Sequence, residues 1–344
     1  MDFHDICEKV YSGQYLNYDE AKFAFDTILT GEINDIVISS FLTALRVRGH
    51  QLDEIYGAAS ALLDAARPFP TPYYDFCDIV GTGGDGFKTI NISTISAFVA
   101  ATLGLKVAKH GNRSISSKTG ASDLLVELGI NLDQTPERAR KSLDENNLCF
   151  LFAPYYHSAM KTVMNVRRTL ATRTVFNVLG PLINPSHNTF QLLGVYSVDM
   201  LQPIAEVCRK LNKKRVMLVN GQGMDEITVT GTTNVCELDN GIIRSYQLNP
   251  SDFGLKTYEV KDLVGGEPKE NKQIALNILS GKGTDAHNAA IAANTAALLY
   301  MDHKAPNLAV GAEMVLDCLK DGRAMKTLEK IVEFAKHDNE ENAA

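Results

Sequence analysis

Four glycines crowd one short stretch, Asp78-Ile79-Val80-Gly81-Thr82-Gly83-Gly84-Asp85-Gly86, at the end of an apolar run. Glycine lets a backbone approach a ligand closely and turn several N–H groups toward it, which suits a phosphate or pyrophosphate. A tight turn without a ligand needs fewer glycines, so a ligand loop is the favoured reading. Gly81, Gly83 and Gly86 also match the dinucleotide fingerprint G-x-G-x-x-G. That fingerprint requires an acidic residue about twenty positions on, at the end of the next strand. Here that strand runs out at Lys109-His110, with no acid beside it. A nicotinamide-dependent dehydrogenase is therefore disfavoured.

Downstream lie Thr89-Ile90-Asn91-Ile92-Ser93-Thr94. Asn91, Ser93 and Thr94 stand where a helix should begin, so any one of them could cap it. The same groups at a helix N-terminus can also hold an anion, or a metal bound to one. A second basic and hydroxyl-rich stretch follows, Lys109-His110-Gly111-Asn112-Arg113-Ser114-Ile115-Ser116-Ser117-Lys118-Thr119-Gly120. In an open parallel sheet, ligands bind beyond the C-terminal ends of the strands. Two strand ends would thus bring a glycine-rich anion loop and a cationic loop to one edge.

Two more constellations carry chemistry. Gly221-Gln222-Gly223-Met224-Asp225-Glu226 sets adjacent acids between glycines after another apolar run. This can be a solvated turn. Its place at a strand end also suits Mg²⁺, which takes oxygen ligands and is held by one or two carboxylates plus substrate phosphates. Arg167 and Arg168 are adjacent on a helical pattern, so they point about 100° apart and only one can readily face a given ligand.

The elements that must position these residues can be read from periodicity. Apolar residues at three-and-four spacing predict helices from Asn17 to near Gly31, from Asn34 to Gly49 and from about Asp53 to Leu63, with Asn17 and Asn34 as caps. Prolines at positions 68, 70 and 72 exclude a helix and mark a linker. Short apolar runs then alternate with amphipathic ones. Strands are expected at 77–80, 105–108, 148–152, 191–196 and 215–219, with helices at about 93–103 and 123–128. A hairpin over 233–247 turns at Asp239-Asn240-Gly241. Helices close the chain at about 268–279, 285–300, 308–319 and 324–334, before a polar tail at 338–344. The fold class expected is α/β, a mostly parallel sheet flanked by helices in a large domain, plus a small all-helical domain. The boundaries expected are 1–67 for the helical domain, 68–72 for a hinge and 73–344 for the large domain.

Composition narrows the function. The 344 residues carry 34 Lys and Arg against 41 Asp and Glu, a formal charge of -7. That disfavours a general nucleic-acid binder without excluding a local anion site. The six cysteines are scattered with no C-x-x-C pair, so a zinc ribbon is not expected. No secretory leader or bilayer-spanning run is visible, and the chain reads as cytoplasmic.

GTGGDG at 81–86, NIST at 91–94, KHGNRSISS at 109–117 and RRTLATRTVFNVLGPLINP at 167–185 together resemble the anthranilate phosphoribosyltransferases. The resemblance spans nearly the whole chain, and KHGNR with the paired serines is its most specific part. It implies transfer of phosphoribose from phosphoribosyl pyrophosphate (PRPP) to the amine of anthranilate, with release of pyrophosphate. It implies that PRPP is held by Gly81, Gly84, Asp85, Thr89, Asn91, Ile92, Ser93, Thr94, Lys109, His110, Gly111, Asn112, Arg113, Ser114, Ile115, Ser116, Ser117 and Ala121. Gly81, Asn112 and Arg167 would meet anthranilate. Ser93, Asp225 and Glu226 would bind Mg²⁺, two ions per monomer. A homodimer through the helical domain is implied, as is a contribution to that domain from about 155–185. Ile6, Phe25, Phe41 and Tyr56 are candidates for the dimer face or for the bundle's own core. No catalytic residue is assigned, although His110 could take the proton lost by the amine or act structurally. A pyrimidine nucleoside phosphorylase-like enzyme and a non-catalytic sugar-phosphate binder are the alternatives. Two positions depart from the family pattern: Ala171 stands where Gly is usual, and Ser158 where Pro is usual.

Overall fold

The computed structural model describes residues 1–113 and 120–336. Four helices open the chain: α1 (Phe3–Tyr11), α2 (Tyr18–Leu29), α3 (Asp35–Arg48) and α4 (Leu52–Asp64). Asn17 and Asn34 accept backbone N–H bonds at the starts of α2 and α3, as their caps. Helix α1 went unread in the sequence, although Asp2 caps it and Phe3, Ile6, Cys7 and Val10 bury one face. Ile6, Phe25 and Phe41 lie in the bundle's own core, with Tyr56 packed against it.

Beyond the prolines, strands and helices alternate as β1 (Cys77–Gly81), α5 (Ile92–Thr102), β2 (Val107–Gly111), α6 (Ala121–Glu127), α7 (Pro136–Asn146) and β3 (Leu148–Phe152). Three helices follow, α8 (Ala153–Tyr156), α9 (Lys161–Leu170) and α10 (Phe176–Leu179). Then come β4 (Phe190–Gly194), α11 (Leu201–Lys210) and β5 (Arg215–Gly221). The hairpin is β6 (Thr233–Asp239) with β7 (Ile242–Leu248). Asn240 and Gly241 at its tip both have positive φ, 47° and 85°, as a two-residue primed turn demands. Helices α12 (Pro268–Leu279), α13 (Asp285–Met301), α14 (Leu308–Lys320) and α15 (Arg323–Lys336) close the described chain.

The strands form one seven-stranded sheet in the order β3-β2-β1-β4-β5-β6-β7. The first five are parallel and the hairpin adds antiparallel strands at one edge. Alternate residues feed two cores, because successive strand side chains point to opposite faces. Leu192, Met217 and Val219 pack with α5 and α12 to α15. Leu193, Val216 and Leu218 pack with α11, the N-terminal helices and residues of α9 and α10. The molecule is thus an α/β sheet with flanking helices plus an N-terminal helical bundle.

One irregularity matters for function. Strand β1 pairs with β4 in register from Cys77↔Phe190 to Gly81↔Gly194. With β2 it pairs only at Cys77↔Val107. The two strands part beyond that point, and a cleft opens at their C-terminal ends.

Candidate active site

Side chains bridge the gap between the parted strands. Asp78, fully buried, accepts the His110 N–H at 3.3 Å and the Asn184 side-chain amide at 2.8 Å. Lys109 sends its Nζ across to the Ile79 carbonyl at 2.5 Å. Lys109 and His110 therefore belong to β2 itself, each only 3% exposed, and not to a loop after an earlier strand end as the sequence suggested. A polar pair in a buried strand hides the strand's apolar signal. Burial pulls the Lys109 pKa down, while the charges of Asp78, Glu226 and Asp225 push it back up. Burial and the neighbouring His157 hold the His110 imidazole well below its usual pKa, so it is neutral. Its ring lies 5.3 Å from that of His157, and its Nε2 has no hydrogen-bonding partner among the described residues.

The glycine-rich loop is held from several sides. Gly83 and Gly84 have φ of 70° and 74°, a left-handed backbone that glycine adopts without strain. Gly83 N–H donates to Asp225 Oδ2 at 2.6 Å. Thr82 N–H donates to the Gly194 carbonyl at 3.0 Å, and the Thr82 hydroxyl accepts from Tyr196 N–H at 3.2 Å. The Gly84 carbonyl accepts from Arg173.

Helix α5 begins at Ile92, and the three candidate caps do other work. Asn91 occupies the cap position without a side-chain cap bond, and its Oδ1 accepts from Asn271 at 2.9 Å. Ser93 Oγ donates to Glu226 Oε1 at 2.5 Å. Thr94 is buried. Asn271 and Gly194 carried no motif signal and were missed by the sequence reading.

Asp225 and Glu226 sit on the turn after β5. Desolvation, then the charge of Asp85, pushes Asp225 up to about 7. Desolvation, then the charge of Asp225, pushes Glu226 up to about 8. Three carboxylates thus share a wall without enough positive charge between them. Among the described residues no group of three or more His, Cys, Asp or Glu converges as a complete metal cage. An all-oxygen donor set of this kind, under-neutralised and incomplete by itself, fits Mg²⁺ that arrives with substrate phosphates.

The glycine loop, the start of α5, the end of β2 and the acidic pair line one cleft of about 460 Å³. It takes in Gly81, Gly84, Asp85, Thr89, Asn91, Ile92, Ser93, Thr94, Lys109, His110, Gly111, Asn112, Arg113, Ala121, Asp225 and Glu226. Arg167 joins it from α9, with its guanidinium 5.4 Å from the centre of the Phe176 ring. Its neighbour Arg168 is exposed and does not line the cleft. Ser114, Ile115, Ser116 and Ser117 lie outside the described residues.

Comparison with known proteins agrees with this geometry. Residues 4–66 match the helical bundle domain of a glycosyl transferase family, and residues 73–325 match its a/b domain. An anthranilate phosphoribosyltransferase of Tolumonas auensis is 55% identical over 95% of this chain and 97% of its own length. The crystal structure of the Thermus thermophilus anthranilate phosphoribosyltransferase superposes with a TM-score of 0.91, at 39% identity over 96% of this chain and 99% of that one. The Saccharomyces cerevisiae enzyme, in complex with PRPP and Mg, gives 0.90 at 32% identity, over 97% of this chain and 98% of that one. With such identity along nearly its whole length, the chain belongs to the anthranilate phosphoribosyltransferases.

Proposed function

We propose that this chain transfers the phosphoribosyl group of PRPP to the amine of anthranilate, forming N-(5-phosphoribosyl)anthranilate and pyrophosphate in tryptophan biosynthesis. The observation that carries the reading is the convergence at one cleft of the glycine loop, Lys109, the Asp225–Glu226 pair and Arg167. The relative solved with PRPP and Mg supports it. So does the same yeast enzyme solved with 4-fluoroanthranilate.

The residues divide the labour. Gly81, Gly84, Asp85, Thr89, Asn91, Ile92, Ser93 and Thr94 bind PRPP through loop N–H groups and hydroxyls. Lys109, His110, Gly111, Asn112, Arg113 and Ala121 continue that site, with Lys109 and Arg113 meeting phosphate charge. Ser93, Asp225 and Glu226 hold Mg²⁺, with two ions per monomer. Bound there, Mg²⁺ would supply positive charge to offset the negative charge developing on the departing pyrophosphate. Lys109 adds a fixed positive charge in a water-poor place, where it acts more strongly than in bulk solvent. Arg167 offers a planar guanidinium to the anthranilate carboxylate, with Gly81 and Asn112 beside it. The aromatic amine is neutral at pH 7 and already nucleophilic, so positioning carries much of the rate. His110 Nε2, unpartnered among the described residues, lies where it could take the proton the amine loses, but the burial that keeps the ring neutral also makes it a weak base, so a structural hydrogen-bonding role is the alternative.

Residues 1–67, with about 155–185, form the small domain, and 68–72 its hinge to 73–344. Two contacts support the inclusion of α9. Asn165 donates to Asp35 of α3 at 2.5 Å. Thr162 lies against Gly31, where an added Cβ would stand 3.1 Å from its Cγ2. The chain acts as a cytoplasmic homodimer joined through the helical domain. On α3, Ile36 and Val47 are 77% and 82% exposed, and Tyr11 at the end of α1 hydrogen-bonds Ser40 of α3. No helix among the described residues is long and apolar enough to cross a membrane.

The decisive assay mixes the protein with anthranilate, PRPP and Mg²⁺ and follows the loss of anthranilate fluorescence. A flat trace at high enzyme concentration overturns the assignment.

A further inference from the structure

Arg173 lies within the 167–185 motif, which gives it no role of its own, and in the structure it ties the glycine loop to the helical bundle. Its guanidinium donates to the carbonyl of Gly84 in the glycine loop. The same guanidinium lies 4.0 Å from the centre of the Tyr196 ring, whose backbone N–H binds the Thr82 hydroxyl of that loop. Its own backbone carbonyl accepts from Arg46 of α3, in the helical bundle. Six residues earlier the same segment carries Arg167, on the cleft wall. One side chain thus fastens the loop to the segment that bears Arg167, and one carbonyl fastens that segment to the bundle.

We propose that Arg173 is a positioning residue that couples the glycine loop to the acceptor side of the cleft, setting the loop's shape for PRPP. The physical case rests on where the loop's other ties lie. Gly83 is held by Asp225 and Thr82 by Gly194 and Tyr196, all on the sheet side. Gly84 and its neighbours have few steric constraints of their own, since glycine leaves the backbone free. Among the described contacts, Arg173 supplies the fixed donor to the Gly84 carbonyl. A charge-assisted hydrogen bond strengthened by a cation–π contact is a strong tether for such a loop. Arg173 itself is exposed, so its removal leaves no cavity in a core.

This inference rests on the reading of residues 81–94 as the PRPP site. Arg173→Ala should raise the KM for PRPP about tenfold, the size of a lost charge-assisted bond, with a much smaller change in the KM for anthranilate. Arg173→Lys, which can still reach a carbonyl and a ring face, should recover most of that loss. Thermal unfolding of both variants should stay close to that of the parent. Ser93→Ala serves as the independent check on the site, and it should raise the KM for PRPP whether or not Arg173 matters. Were Ser93→Ala to leave that KM unchanged, the site reading would fall and this inference with it. A raised KM in Ser93→Ala with no PRPP-selective change in Arg173→Ala overturns the coupling alone. Equal shifts in both KM values, or no recovery with Lys, also overturn it. If Arg173→Ala does not fold, Arg173→Gln is measured in its place and read by the same split.

Discussion

Gly81 and Gly194 face each other in register across β1 and β4, and Asp225 lies against both. A Cβ at position 81 would stand 2.1 Å from Asp225 Oδ2, and one at 194 would stand 1.6 Å from the Asp225 backbone oxygen. The pair of bare backbones makes the seat for the acidic turn. Gly81→Ala should push the carboxylate aside, raising the Mg²⁺ concentration needed for half-maximal rate while the fold persists. Gly194→Ala meets backbone, which cannot swing away, so it should lower stability as well. Mg²⁺ titrations of activity and thermal melts of the two variants check both expectations. An unchanged Mg²⁺ requirement in Gly81→Ala would refute the seat.

The acidic wall also predicts a pH dependence. Asp225 and Glu226 have folded pKa values raised to about 7 and about 8, above the ordinary carboxylate range. A group raised on folding stabilises the protein below its unfolded pKa, and that contribution is lost as pH climbs through the folded value. The metal-free protein should therefore lose stability as pH rises from about 4, where the unfolded carboxyls ionise, through about 7 to 8, and level off above. A bound divalent cation favours the ionised forms, so the gain in melting temperature on adding Mg²⁺ should grow over the same window. Melts with Mg²⁺ and with a chelator across that range are the check. A metal effect that shrinks with rising pH would contradict it.

These relationships mark the boundary of what one-dimensional pattern can show. The caps Asn17 and Asn34, the turn at Asn240-Gly241 and the glycine loop were legible because each is a local device with its own residue preference. Helix α7 was not legible. Its sequence Pro136–Asn146 is mostly charged and polar, and its start is marked only by Thr135 and a first-turn proline. Sequence pattern puts Lys109 and His110 past a strand because their polarity interrupts the apolar run, while the partners that make their burial tolerable come from β1, thirty or so positions away. The bonds from Gly83 to Asp225 and from Arg173 to Gly84 join positions separated by 142 and 89 residues. No local periodicity encodes such pairs.

Arg167 offers a direct test of the acceptor site. Burial beside the cleft lowers its pKa, and among the described residues no carboxylate opposes that shift. A guanidinium desolvated without a counter-charge gains when a carboxylate ligand arrives. Arg167→Ala should raise the KM for anthranilate by the equivalent of roughly 1.5–3 kcal/mol, and that for PRPP far less. Initial rates with each substrate varied in turn decide it, and equal effects on both would count against the role.

The exposed stripe on α3 tests the assembly. Ile36 and Val47, at 77% and 82% exposure, share the helix with Leu42 and Leu45, which are buried in the bundle. Exposed apolar side chains on a helix whose other face already fills a core suit a subunit contact. Ile36→Glu with Val47→Glu should convert the proposed dimer to a monomer without unfolding it, because neither residue packs inside the bundle. Sedimentation equilibrium checks this. A double variant that stays dimeric removes α3 from the interface.

Ala171 closes α9 four residues after Arg167, with φ of 46° and ψ of 31°. This is the left-handed region, where a Cβ crowds the backbone and costs an L-residue roughly 1–2 kcal/mol. Its N–H donates to the Arg167 carbonyl at 3.2 Å, so the strained conformation is what ends the helix that carries the proposed acceptor ligand. The side chain is exposed and no core packing depends on it. Alanine therefore already adopts the backbone that glycine would adopt, and the departure from the family pattern falls on stability instead of on the position of Arg167. Ala171→Gly should relieve the strain, offset in part by the greater freedom glycine has in the unfolded chain, for a net gain of about 1 kcal/mol. The denaturant midpoint should rise while the KM for anthranilate stays as it is. A drop in stability would show that the left-handed geometry is not strained at this site, and a lowered KM would show that Ala171 does displace the arginine.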